Sequence, residues 1–232
     1  EPDFGTSIRR VSSIASGYER HEYSQLQAFN ADNTLILQNS NGSFIVRDAE
    51  TFSLVFAVPN DINDVRWNPA NSDELIHFDS NDVGSGNVRV VIQKTNVRTG
   101  AKTDIATLDS IYRTVATSQS FEELSRDGRW LAAILNRTDG AQDIITYDLV
   151  NRQVGAVKRI PNGSTINWVA PSPSGQYLVI QWDADGAGDY TNPASADNTG
   201  VQVYDIQTGA SLGHVSSRHD HGDLGSDENG ND

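Results

Sequence analysis

The chain has 232 residues, 37% of them hydrophobic, enough for a substantial core in one large all-β domain or two small ones. Its 31 acidic against 17 basic residues give a formal charge of −14, and the most basic stretches, around Arg9-Arg10 and Lys158-Arg159, are too short to reverse that field, which argues against nucleic acid as a partner. With no cysteine, disulfides and thiolate chemistry are excluded, and no apolar run is long enough to span a bilayer.

In chain order, residues 1–20 hold one strand, Ser7 to Ser12, at an N-terminal edge. After it, short runs rich in Val, Ile, Tyr and Trp, bounded by Pro, Ser, Gly and Asn, read as antiparallel strands. The first unit, 21–58, has strands near 25–29, 34–38, 44–47 and 54–57. The second, 59–109, has them at 64–67, 74–78, 88–94 and 102–106. The third, 116–160, places them at 121–124, 130–135, 144–148 and 154–158. The fourth, 163–215, is the most legible: Ile166 to Val169, Gln176 to Trp182, Val201 to Asp205 and Ala210 to Val215.

Two turn signals recur. One closes the first hairpin, at Asp32-Asn33, Asn71-Ser-Asp73, Asp127-Gly128 and Ser174-Gly175, and returns at Asn229-Gly230. The other closes the second hairpin, in Arg47-Asp-Ala-Glu-Thr51, Asn96-Val-Arg-Thr-Gly100, Tyr147-Asp-Leu-Val-Asn151 and Tyr204-Asp-Ile-Gln-Thr-Gly209. A repeat of about forty to fifty residues predicts an all-β β-propeller of four-stranded antiparallel blades. Four blades are expected, and residues 216–232 open a fifth, so the chain reads as part of a larger, for example seven-bladed, propeller whose remaining part would be a partner. A start at Glu1 without Met suggests a processed or trimmed chain, a removed signal peptide being one explanation and a cloning boundary another, and an acidic, Asn/Asp/Ser/Gly-rich composition fits an exported protein, secreted or periplasmic.

In a propeller the connection into each innermost strand reaches the mouth of the central channel. Those connections bring His21, Tyr23, Arg66, Glu122, Trp168, His219, His221 and Asp223 toward one axis. His219 and His221 flank one residue, so on an extended segment both rings face one way, a spacing that suits zinc with Asp223 as well as it suits a polar, turn-capping loop. His21 and Tyr23 share a face and are a workable proton-transfer pair, or a packed Tyr beside a satisfied His. Asp183, Asp185 and Asp189 in a Gly-rich loop suit calcium or simply a solvated acidic loop, and the spacing is not that of an EF-hand. Arg66 either holds a substrate carboxylate or pairs with Asp64 or Glu122, and Trp168 either stacks on a sugar or fills the channel wall. His77, inside a strand, reads as structural. No nucleophile elbow, phosphate loop or dinucleotide fingerprint is present.

The phrases Phe4-Gly-Thr-Ser-Ile-Arg-Arg-Val-Ser12, His21-Glu-Tyr-Ser24 with Phe29-Asn-Ala-Asp-Asn33, Arg66-Trp-Asn-Pro69, Ser172-Pro-Ser-Gly175 and His221-Gly-Asp-Leu224 resemble exported WD40-like propellers of the TolB and polysaccharide-lyase type, such as ulvan and oligogalacturonate lyases. The resemblance implies binding or β-elimination of a uronate-containing polysaccharide. Arg66 would then neutralise the uronate carboxylate, while His21, Tyr23, His219 or His221 move protons and Glu122 and Trp168 line the substrate. A non-catalytic propeller that presents its rim to a protein or glycan is the other reading the repeats allow.

Overall fold

The structure, a computed structural model, describes residues 11, 16–21, 26–60, 62–82, 88–116, 124–186, 198–218, 224–227 and 232. Among them the chain folds into four sheets, each of four antiparallel strands in sequential order. Blade one comprises β1 (Glu19–Arg20), β2 (Leu35–Ser40), β3 (Ser43–Asp48) and β4 (Leu54–Ala57). Blade two comprises β5 (Ile62–Trp67), β6 (Glu74–Asp82), β7 (Val88–Asn96) and β8 (Lys102–Thr107). Blade three comprises β9 (Tyr112–Val115), β10 (Trp130–Arg137), β11 (Gln142–Asp148) and β12 (Gln153–Arg159). Blade four comprises β13 (Ile166–Pro171), β14 (Tyr177–Trp182), β15 (Val201–Asp205) and β16 (Ser211–Ser216).

The middle strands alternate because each blade is buried on both faces, and successive side chains serve successive inter-blade layers. Leu35, Leu37 and Val46 of blade one meet Val65, Trp67 and Leu75 of blade two. On the other face of blade two, Ile76, Phe78, Val90 and Ile92 meet Leu131, Ala133 and Leu135. From the opposite face of β10, Ala132 and Ile134 then meet Ile166, Leu178, Ile180 and Trp182. Each large side chain so buried contributes on the order of 2 kcal/mol. His77 belongs to one of these layers, fully buried, with its Nε2 at 2.8 Å from the Thr95 hydroxyl.

The second-hairpin turns are built alike. Oδ1 of Asp48, Asn96 and Asp205 accepts both the backbone N–H and the hydroxyl of a threonine three residues on, at 2.7 to 3.1 Å. Asp148 does the same work with the Asn151 N–H and adds the Arg129 guanidinium at 2.6 Å. Burial alone would raise the Asp148 carboxyl; the Arg129 and Asn151 donors outweigh it and hold the group at about 2. The residue that follows is left-handed in all four turns: Phe52 (φ 60°), Gly100 (φ 72°), Arg152 (φ 56°) and Gly209 (φ 70°).

Two inner strands differ from the sequence expectation. In blade one the innermost paired segment is Glu19–Arg20 against Ser40 and Asn39, and within the described part of the expected 25–29 run, residues 26–29, only Phe29 forms a bridge, to Ile36. In blade three Tyr112–Val115, read as connection, pairs with β10, whereas the expected 121–124 strand lies outside the described residues except for Leu124. Blades one and three therefore open at Glu19 and Tyr112 rather than at 21 and 116. The physical reason is a register jump that a period-2 reading does not carry. From Arg20 to Phe29 nine residues stand against the three from Asn39 to Ile36, and from Val115 to Ser125 ten stand against the five from Leu135 to Trp130. Blades two and four break register as well, by one residue each, at Asn63/Arg66 and Ile166/Trp168.

Candidate functional site

All four innermost strands lose regular pairing, and the channel-facing edge is where a propeller's inner side chains gather. In blade two the extra residue falls at Asp64, which takes a left-handed backbone (φ 55°) rare for a residue with a Cβ. Its carboxylate pairs with Arg66, two residues on, and both side chains are almost wholly buried. The Arg66 guanidinium also donates to the Ala132 carbonyl of blade three at 3.4 Å and lies 6.0 Å from the Phe78 ring centroid. Burial pushes the Asp64 carboxyl up to about 6, although the Arg66 charge beside it pulls the other way. With a carboxylate, a carbonyl and a ring around it, Arg66 clamps blade two to blade three.

Blade one presents a different arrangement. Glu19 turns into the sheet, accepting from Arg47 at 2.7 Å and from the Ser40 hydroxyl at 3.3 Å. Strand alternation then turns Tyr18 and Arg20 the other way. Tyr18 is 43% exposed, and the Arg20 guanidinium lies over its ring at 4.9 Å from the centroid. Arg20 is exposed, forms no ion pair among the described residues, and is followed by exposed His21. The backbone of Tyr18 is fixed by the turn beyond β2: its N–H donates to Asn41 Oδ1 at 2.9 Å and its carbonyl accepts from the Asn41 N–H at 3.0 Å. A stacked, solvent-facing guanidinium over an aromatic ring can receive a planar carboxylate and stack a sugar ring, and the exposed imidazole next in sequence is a group able to exchange a proton.

The remaining sequence candidates are dispersed. Trp168 is 4% exposed and packs on blade four with Ala170, Val179 and the partly buried Leu224. Asp183 and Asp185 are exposed at the end of β14, where the Asp183 N–H donates to the Thr165 carbonyl at 2.9 Å. Tyr23, Glu122, Asp189, His219, His221 and Asp223 lie outside the described residues. Among the described residues no three His, Asp or Glu side chains converge as metal ligands, and no helix is long and apolar enough to cross a membrane. Sequence reasoning passed over Tyr18 and Arg20. The available signal was the alternation Tyr18-Glu19-Arg20, which puts the acid on one face and the aromatic and base on the other.

The four sheets are blades of a β-propeller. No protein-family model matches the chain, and no curated protein matches it. Among solved structures it is similar to the β-propeller domain of the Trilobed protease from Pyrococcus furiosus, at 10% identity over 77% of this chain and 52% of that one, with a TM-score of 0.44. It is also similar to the acylaminoacyl peptidase of Pyrococcus horikoshii (13%, 80% of this chain and 29% of that one, TM-score 0.44) and to a putative TolB from Agrobacterium tumefaciens (17%, 82% and 79%, TM-score 0.36). The chain thus spans about half the length of the first and less than a third of the second. At these identities the likeness is one of fold alone.

Proposed function

We propose that this propeller binds a uronate-containing glycan at the inner edge of blade one and cleaves it by β-elimination. The observation that carries the reading is the exposed Arg20 guanidinium stacked on Tyr18, with exposed His21 next in sequence. In this reading Arg20, rather than the buried Arg66, neutralises the uronate carboxylate, which acidifies the neighbouring C–H. A base then removes that proton, the bond to the leaving oxygen on the next carbon breaks, and a carbon–carbon double bond forms between the two carbons. We assign that proton to His21, the exposed imidazole next to Arg20 in sequence, and the leaving oxygen departs with the bonding electron pair and takes up a proton. Tyr23, His219 and His221 share its chemistry; alternatively, zinc held by His219, His221 and Asp223, or calcium held by Asp183, Asp185 and Asp189, would help neutralise the carboxylate. Because the net charge of −14 repels a polyanion, binding rests in this reading on a local cationic group rather than on the overall field.

Incubation with ulvan and with pectin tests the reading through the ultraviolet absorbance of unsaturated uronate ends. The expected result is a rising signal on at least one polymer, lost in Arg20→Ala with the melting temperature unchanged. Absence of signal on every uronate polymer would remove the lyase chemistry and leave a non-catalytic interaction module.

A further inference from the structure

Two Asn-Gly pairs lie among the described residues, Asn41-Gly42 and Asn162-Gly163, and their surroundings differ in the atoms that matter for one reaction. In the connection between blades three and four, a turn closes through the Ser164 N–H to the Pro161 carbonyl at 3.1 Å, and its two central residues, Asn162 and Gly163, are both exposed. Gly163 is left-handed (φ 83°), and a side chain there would meet nothing within 4 Å. Neither the Asn162 amide nor the Gly163 N–H has a hydrogen-bond partner among the described residues. At the other pair both groups are held: Asn41 Oδ1 accepts the Tyr18 N–H at 2.9 Å, and the Gly42 N–H donates to Asn39 Oδ1 at 2.7 Å.

We infer that Asn162 is a site of spontaneous deamidation and isoaspartate formation, and that Asn41, with the same following residue, is protected from it. The Gly163 backbone nitrogen gives up its proton to solvent base and attacks Cγ of Asn162. A carbon–nitrogen bond forms, the side-chain amide nitrogen leaves as ammonia, and a five-membered succinimide results. Water then opens the ring at one carbonyl or the other, giving aspartate or isoaspartate. Glycine is what admits the attack, since a Cβ on the attacking residue would crowd it. At Asn41 the same step first requires two hydrogen bonds to open, which slows it by roughly tenfold or more. The product adds a negative charge and, as isoaspartate, one extra backbone atom four residues before Ile166, where β13 and its Trp168 begin.

Peptide mass spectrometry on the folded chain, sampled during incubation at mildly alkaline pH, reads each site separately, with isoaspartate told from aspartate by fragmentation. The expected result is a growing mass gain, amide to acid, in the Asn162 peptide while the Asn41 peptide stays unchanged, and none at that position in Asn162→Gln. Equal rates at the two sites, or conversion at Asn41 alone, would overturn the inference. Repeating the incubation on denatured chain provides the internal control: both sites should then convert at similar rates, and a persisting difference would mean that the fold is not what protects Asn41.

Discussion

Asp64 and Arg66 show how much one inserted residue can do. The bulge turns Asp64 left-handed and carries its carboxylate into the same buried space as the guanidinium, so neither charge has water to fall back on. Removing one partner strands the other, and Asp64→Ala is expected to destabilise the fold by about 3–5 kcal/mol, measured by denaturant unfolding. The pH dependence has a definite sign. The Asp64 carboxyl titrates at about 6 in the fold and near 3.8 when unfolded, so the folded state holds the proton more tightly. Its contribution is therefore fullest below the unfolded value and declines as pH rises through about 6. Asp64→Asn should flatten the unfolding free energy across that window, and an unchanged slope would contradict the assignment. The sequence alone offered Arg66 both as a substrate ligand and as a partner of Asp64. Periodicity tells which residues share a face of a strand, but it does not tell how deeply a guanidinium is covered. Arg20 escaped notice for the complementary reason: its strand is only two residues long, so the alternation Tyr18-Glu19-Arg20 is a weak signal on its own.

At the scale of elements, the four second-hairpin turns repeat one solution, an Asx acceptor followed four residues later by a left-handed residue. Two of them use glycine there, and two use Phe52 and Arg152, which pay a steric penalty for a Cβ. Arg152→Gly is accordingly expected to raise stability by about 0.5–1 kcal/mol, the left-handed penalty less the added flexibility of glycine in the unfolded chain. In the matching turn Gly100→Ala should lower it by about 1 kcal/mol, because an added Cβ has ordinary room there, with Phe56 at 3.7 Å, and only the backbone conformation resists. Thermal or chemical unfolding of both variants checks the pair; a loss of stability in Arg152→Gly would contradict it. These turns were legible in the sequence because their chemistry is local: Asp48, Asn96, Asp148 and Asp205 bond within three residues of themselves. The apolar runs of β6, β10 and β14 were legible because their composition is local too. Where β1 and β9 begin was not, since each is set by a long-range pairing and separated from the rest of its edge by a register jump.

Over the described residues, seven of the basic side chains are paired internally. Arg47, Arg66, Lys94, Arg98, Arg129, Arg137 and Arg159 are all paired with carboxylates of the same chain, and Asp143 alone receives Arg137, Arg159 and the Tyr112 hydroxyl. Against this acidic background Arg20 stands exposed on the innermost segment of blade one, stacked on Tyr18 and in no ion pair among the described residues. The most direct test is calorimetric titration of a uronate oligosaccharide into the wild-type chain, Arg20→Ala and Arg152→Gly, the last removing the same charge from a turn at the opposite end of the blades. The account predicts binding that weakens with added salt, falls roughly tenfold or more in Arg20→Ala, as the loss of a charge-assisted hydrogen bond implies, and is unchanged in Arg152→Gly. Equal affinity in the wild-type and Arg20→Ala chains, or no preference for uronate over a neutral oligosaccharide, would contradict it.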